Sequence, residues 1–340
     1  MTLKELSQLL GLSPTTVSRA LAGYPEVREE TRRRVRAAAA MHGYRPNRRA
    51  AALATGRARA IGHVIPSSRG RDIVNPIFAD FLAGAGEIYA RAGHDLILSI
   101  VPDGEERETY RQMAASGSVD GVVLHGPRVD DTRIAMLREV ALPFVVHGRI
   151  FSEPCGYTFV DIDNRNAFRR ATDLLLDLGH RRIALINGET DMDFAHRRHR
   201  GWSEALAARG VTGDPALCFW GEMSESNGHA AARRLLDRPD PPSAMLVSSL
   251  IMAIGVRRAA EERGLRLGRE LSVVTHDDVL GYLANGDEAP IFTATRSSVR
   301  AAGARCAELL LEVIADPGRA PGGEVWQSEL VLGSTTGPAP

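Results

Sequence analysis

Within six consecutive positions, Pro14, Thr15, Thr16, Ser18 and Arg19 bring short polar side chains and one guanidinium onto a single segment. Hydroxyls can donate and accept, and an arginine presents a fork of donors, so this set can hold phosphates or read base edges. The rest of the chain offers little for covalent or metal chemistry. Its only lysine is Lys4, which leaves the body without a phosphate-binding or Schiff-base lysine. No G-x-S-x-G elbow and no H-E-x-x-H run occurs. His196 and His199 have metal-like spacing but stand among Arg197, Arg198 and Arg200, a poor place for a cation. Asp161 with Asp163, and Asp277 with Asp278, have the spacing of acid/base pairs. Single strand-end carboxylates accepting hydrogen bonds from a ligand's hydroxyls explain them more simply. Cys155, Cys218 and Cys306 are too far apart for a disulfide framework or a metal knuckle. The expectation is no enzyme, no cofactor and no metal.

The elements that must position the polar set follow from the flanking residues. Thr2 and Glu5 form a capping-box pair, Leu3, Leu6, Leu9 and Leu10 repeat at helical spacing, and Gly11 permits a turn. Ser13-Pro14 then reads as an N-cap followed by proline at the first helical position, with Val17, Ala20 and Leu21 facing inward. Two helices joined this way are a helix-turn-helix, which offers its second helix to DNA. A plain helical hairpin would share the periodicity. Charge separates the two ideas. Residues 1–60 carry twelve Lys or Arg against four Glu, a balance of +8, and the remaining residues are correspondingly −8. A cationic end on an anionic body suits a polyanion touched at that end only. Arg32, Arg33, Arg34 and Arg36 on a helix over 29–42 could instead be an ordinary solvated run. Pro46-Asn47 can start a further short helix that Gly56 ends. It is too short to persist alone in water and needs a twin in a dimer or a DNA groove. Leu53, its one bulky apolar group, could wedge between base steps, or the segment could be a flexible basic linker.

From Ile61 onward, short apolar runs alternate with helical patterns. Strand-like runs begin near 61, 95, 120, 143, 158, 182, 244, 271 and 292, and helices are expected at 76–92, 130–140, 164–179, 197–209, 226–236, 251–263 and 298–315. Near-continuously apolar strands separated by helices mean parallel sheets covered on both faces. The expected fold is an all-α helix-turn-helix headpiece followed by an α/β body of two doubly wound parallel-sheet subdomains, with a cleft at the strand C-terminal ends. The expected divisions are 1–45 for the headpiece and 46–60 for the hinge. The first subdomain takes 61–160 with 292–320, and the second takes 161–291 with 321–340. Gly84-Ala85-Gly86 lacks a third glycine and sits mid-helix, so close helix packing explains it better than a nucleotide loop. The sequence shows no apolar signal core and no run of about 18 apolar residues, so a cytoplasmic location without membrane contact is expected.

The runs SPTTVSRAL, EETRRRV, GYRPN and AAALA, with VDGVVLHG, LGHRRIALING, RHRGW and SVVTHDD in the body, resemble the lac repressor (LacI/GalR) family along essentially the whole chain. The resemblance implies a ligand-responsive DNA-binding regulator whose body has a type I periplasmic-binding-protein fold. Such a regulator works as a homodimer on a palindromic operator. By likeness Pro14, Thr15 and Arg19 would contact base edges. Thr16, Ser18, Thr31 and Asn47 would anchor phosphates, Leu53 would enter the minor groove, and Thr2 and Ala50 belong to the same surface. Ala22 departs from the polar residue usual there. The implied effector contacts are Asn75, Phe78 and His147 from the first subdomain and Phe194, Arg198, Ser249 and Asp277 from the second. Ser249-Leu250 and His276 depart from the usual pattern of a sugar site. NPIFADF, THDD and STTGPAP are similar to α-glucoside utilisation repressors, which makes an α-linked disaccharide the expected ligand. A sugar sensor without DNA function, or a purine-type or other small-molecule corepressor, stays open beside it.

Overall fold

The computed structural model describes residues 1–44, 57–66, 76–150 and 156–340, and the chain divides into two compact units, Met1–Arg59 and Ala60–Pro340. Asn47, Ala50 and Leu53 of the expected hinge, and Asn75, lie outside the described residues.

The first unit holds α1 (Leu3–Leu10), α2 (Pro14–Ala22) and α3 (Glu29–Met41). Thr2 N–H donates to Glu5 Oε2 at 2.8 Å and the Thr2 hydroxyl accepts from Glu5 N–H at 3.2 Å, a complete capping box. Gly11 closes α1 in the left-handed region at φ 64°, which glycine tolerates. Ser13 then caps α2 by accepting from Thr16 N–H at 3.0 Å. Leu6, Val17, Ala20, Val27, Val35 and Ala39 form the buried centre. Leu9, expected to face inward, is 55% exposed, because the stripe that meets the other helices runs through Leu3, Leu6 and Leu10. The arginines of α3 are only partly a solvated run. Arg32 Nη1 donates to Gly23 O at 3.2 Å and Arg34 Nη2 to Leu10 O at 2.6 Å, so two of them satisfy carbonyls at the ends of α2 and α1.

The second unit begins with β1 (Ala60–Pro66), α4 (Pro76–Ala92), β2 (Asp95–Val101), α5 (Glu106–Ser116), β3 (Gly121–His125), α6 (Thr132–Glu139), β4 (Phe144–His147) and β5 (Phe159–Ile162). It continues with α7 (Asn164–Asp177), β6 (Ile183–Asn187), α8 (Asp193–Ala208), β7 (Cys218–Trp220), α9 (Glu225–Leu236), β8 (Ala244–Val247), α10 (Leu250–Glu261) and β9 (Ser272–Asp277). Last come β10 (Thr293–Arg296), α11 (Val299–Ala315), β11 (Gly323–Trp326) and β12 (Glu329–Val331). Two six-stranded sheets result, in the orders β11-β5-β4-β3-β1-β2 and β12-β10-β9-β8-β6-β7. Among the described residues every ladder is parallel except β10 with β12. Expectation omitted α5 and the short strands β7, β11 and β12.

The chain changes sheet after β5, after β10 and after β11. The expected division at 292 and 321 is therefore wrong for two strands. Thr293 pairs with Val274 of β9, which places β10 in the second sheet, and Gly323 pairs with Phe159 of β5, which places β11 in the first. Of residues 292–320 it is α11 that belongs to the first subdomain, where Val299, Ala302 and Cys306 pack with Ile61, Val123 and Val160. An apolar pattern marks a strand but does not name its neighbour. Gly84 bears out the packing reading: a Cβ there would lie 2.0 Å from Arg300 O, while one on Gly303 would lie 2.1 Å from Phe81 O, so α4 and α11 cross in backbone contact.

Candidate functional site

On α2, burying Val17 and Ala20 turns Pro14, Thr15, Ser18, Arg19 and Ala22 to the opposite side, all exposed. They form one stripe at i, i+1, i+4, i+5 and i+8. Thr2 is exposed, whereas Thr16 and Thr31 are half-buried. The Thr16 hydroxyl lies 2.8 Å from Ser13 Oγ, so it already has a partner within the cap.

In the body, an inner cavity of about 160 Å3 opens between the two sheets at the C-terminal ends of their strands. The first subdomain contributes Ile77, His147, Arg149 and Asp161, and the second contributes Asn164, Phe194, Arg198, Met223, Ser248 and Asp278. A larger outer compartment of about 540 Å3 adjoins it through Phe194 and Met223 and is lined also by Phe78, Arg128, Asp191 and Trp220. Arg198 is held in the inner cavity by two rings and two hydrogen bonds. Phe194 and Arg198 are four residues apart on α8 and so share a face. The guanidinium lies 4.8 Å from the Phe168 ring centre and 4.9 Å from that of Phe194. Nε donates to Asn164 Oδ1 at 2.7 Å and Nη1 to Ser248 O at 2.6 Å. A Cβ on Gly201 would stand 2.1 Å from Arg165 O, and this close crossing of α8 on α7 brings Arg198 to Asn164.

Burial sets the charge states. Arg198 is lowered to about 10 by desolvation, with Asp278 and Asp161 pulling it back up, so it is cationic at neutral pH. Desolvation raises Asp278 to about 7, against the attraction of Arg198 and with help from Asp277. Asp161 is raised to about 6 by desolvation although Arg149 Nε donates to its Oδ2 at 2.7 Å. His147 is pushed down to about 4 by burial and is a neutral ring. The cavity thus combines a fixed donor fork, carboxyl groups near their titration point and apolar walls.

Of the expected effector residues, His147, Phe194 and Arg198 meet in the inner cavity and Phe78 stands in the outer compartment. Ser249 and Asp277 do not line either. Ser249 is fully buried and caps α10, accepting from Met252 N–H at 3.3 Å. Asp277 accepts from Val279 N–H at 2.9 Å, stabilising a turn in which Val279 takes a left-handed φ of 56°. Their chain neighbours Ser248 and Asp278 line the cavity instead, since successive positions leaving a strand point to opposite sides. Of the other carboxylate pair, Asp161 lines the cavity, while Asp163 caps α7 by accepting from Asn166 N–H at 3.1 Å. Arg149 and Asn164 were not anticipated. The signal for them was available: one follows β4 and the other follows β5, both at the end of the strand where a cleft must open. The His196 and His199 rings lie tilted against Trp220, with ring centres 5.4 and 5.3 Å away, and His196 Nε2 lies 2.6 Å from Thr190 O.

Comparison with known proteins agrees with both halves. The profile for bacterial regulatory proteins of the lacI family matches residues 2–47, and that for a periplasmic binding protein-like domain matches residues 172–336. The chain is 47% identical to the HTH-type transcriptional regulator AglR of Rhizobium meliloti (strain 1021), with 99% of this chain and 95% of that protein covered. It is 33% identical to the HTH-type transcriptional regulator CelR of Thermobifida fusca over 92% of each. Among solved structures, a complex of the regulator CelR with cellobiose aligns at TM-score 0.73 and 31% identity, covering 98% of this chain and 99% of that one. The lac repressor dimer bound to operator and the anti-inducer ONPF aligns at TM-score 0.85 and 25% identity over 99% of each. With its headpiece, its two-sheet body and relatives matched along nearly their whole length, the chain belongs to the lacI family of bacterial regulatory proteins.

Proposed function

We propose that this ligand-responsive DNA-binding regulator takes an uncharged sugar, an α-linked disaccharide first among them, in the cleft of its body, and that the sugar alters its hold on an operator. The observation that carries the reading is the Arg198 fork, held by Asn164 and Ser248 between two aromatic rings and facing carboxyl groups from both subdomains. Guanidinium donors and carboxylate acceptors match the hydroxyls of a sugar, and Phe194 with Ile77 and Met223 suits its C–H faces. The inner cavity accommodates one ring and the outer compartment leaves room for a second. The relative whose structure contains cellobiose supports the class, and the likeness of NPIFADF, THDD and STTGPAP to α-glucoside utilisation repressors supports the linkage.

In the headpiece, Pro14, Thr15 and Arg19 of the exposed stripe would contact base edges in the major groove, while Thr2, Thr16, Ser18 and Thr31 would lie against phosphates. Two chains paired by two-fold symmetry meet a palindromic site with half-sites about one helical turn apart. Asn47, Ala50 and Leu53 belong to the connection through which the body must signal. The reading assigns them the remaining phosphate and minor-groove contacts. Sugar and operator then influence one another by the same factor, because coupling is reciprocal.

Thermal melting of the full chain with maltose, trehalose, sucrose and cellobiose tests the ligand, since a molecule that binds the native state raises its melting temperature. The operator affinity measured with and without the stabilising sugar tests the coupling. No stabilisation by any sugar defeats the ligand reading. An operator affinity untouched by a bound sugar defeats the coupling.

A further inference from the structure

Two loops of the body meet across the cleft, away from the strands that join its subdomains. The segment 127–129 follows β3 in the first subdomain, and 191–193 leads into α8 in the second. Arg128 and Met192 pair as an isolated antiparallel bridge. Val129 N–H donates to Asp191 O at 2.9 Å and Asp193 N–H to Pro127 O at 3.1 Å. The Arg128 guanidinium spans the same gap, with Nη2 3.4 Å from Glu106 Oε1 in the first subdomain and Nε 3.5 Å from Asp191 Oδ2 in the second. Met192 Sδ lies 3.7 Å from where a Cβ on Gly126 would stand, which closes the seam.

Sheet order gives this contact its meaning. The three covalent crossings leave from β5, β10 and β11, near one edge of each sheet, whereas β3 and β6 lie further toward the opposite edge. The subdomains are joined by chain on one side of the cleft and by this bridge on the other. Pro127 and Asp193 line the inner cavity, while Arg128, Asp191 and Met192 line the outer compartment, so the bridge runs along the boundary between the two. A ligand in the inner cavity touches groups from both subdomains and therefore favours the closed arrangement. Two backbone hydrogen bonds and a partly exposed ion pair are a modest tie, small enough for ligand binding to shift.

We propose that the bridge between 127–129 and 191–193 is a reversible clasp, with Arg128 and Asp191 as positioning residues, which holds the body closed over its ligand and parts to let it in or out. The proposal rests on the reading that the cleft takes a sugar, and its test separates the two.

Residues 128 and 192 form the non-hydrogen-bonded kind of antiparallel pair, whose Cα atoms stand about 4.5 Å apart, within disulfide range. In the full-length R128C/M192C variant, oxidation with glutathione disulfide should link the pair, and failure to link overturns the proposal. With the link formed, whichever of maltose, trehalose, sucrose or cellobiose binds the native chain should dissociate at least tenfold more slowly than after reduction. Equal release rates in the two states overturn the clasp while leaving the sugar reading intact. In D191N, which carries no new bond, release should quicken about threefold, and unchanged release counts against the clasp. If no sugar binds, the sugar reading fails and hydrogen exchange decides the clasp alone. The Val129 and Asp193 amides should exchange at least tenfold more slowly in the linked form than in the reduced form, and equal exchange overturns it.

Discussion

Asn164, the first residue of α7, accepts from Arg198 Nε on α8 at 2.7 Å, so the opening residue of one helix fixes the donor fork carried by the next. With Nη1 given to Ser248 O, the guanidinium is held at two of its edges and presents the others to the cavity. A lysine there supplies the charge but cannot make both bonds in one plane. Arg198→Lys should therefore weaken sugar binding by about 2 kcal/mol, roughly thirtyfold, while operator binding without sugar stays close to native. Titration calorimetry against the stabilising sugar checks it. A dissociation constant within twofold of native would show that the fork is structural and not a ligand clamp.

Arg19 is the one long cationic side chain on the exposed stripe of α2. Its replacement by alanine should cost about 1–3 kcal/mol at the cognate operator if the guanidinium reads a base edge, and should flatten preference at one position of each half-site. Gel shifts with single-base operator variants, at fixed salt, give the answer. A uniform loss across all variants would reassign Arg19 to a phosphate.

The parts that were legible in the chain and those that were not divide along a physical line. Caps and periodicity are local, so Thr2, Ser13-Pro14 and the leucine spacing disclosed α1 and α2, and helix α4 over 76–92 was visible from its composition. Contacts fixed by long-range geometry were not. Two serines in a row at 248–249, and two aspartates at 277–278, offer the same chemistry twice, and only the pleat of β8 and β9 decides which member faces the cavity. The partner of β10 or β11 depends on where the chain crosses between sheets, which no single window of sequence contains. The arginines of α3 read as a uniform cationic run until folding carries the Leu10 and Gly23 carbonyls to Arg34 and Arg32.

Asp278 has its carboxyl raised from 3.8 to about 7 by desolvation, so the folded chain holds that proton more tightly than the unfolded chain does. A raised folded-state value stabilises fully below the unfolded value and is lost as pH climbs through the folded one. Its contribution therefore declines between about pH 4 and pH 7. His147 acts in the opposite sense: its value is lowered to about 4, so it favours the fold above pH 6.5 and withdraws that support as pH falls toward 4. A difference measurement isolates the carboxyl. Native stability minus that of Asp278→Asn should fall by about 3 kcal/mol from pH 4.5 to pH 7.5, read by urea unfolding. A pH-independent difference would mean that Asp278 titrates normally.

Arg33 and Arg34 are adjacent on α3 and both exposed, yet Arg34 Nη2 donates to Leu10 O at 2.6 Å, where α1 runs out of intrahelical donors. Removing it leaves that carbonyl to water and loosens the joint between α1 and α3. Arg34→Ala should cost the headpiece about 1 kcal/mol, visible in the full-length chain as roughly fivefold faster hydrogen exchange of the α1 amides. Arg33→Ala should leave that exchange unchanged. If Arg33 meets a phosphate, its loss should lower the dependence of operator binding on the logarithm of salt concentration by about one. Equal exchange in the two variants would show that the contact of Arg34 with the Leu10 carbonyl contributes nothing to holding the headpiece together.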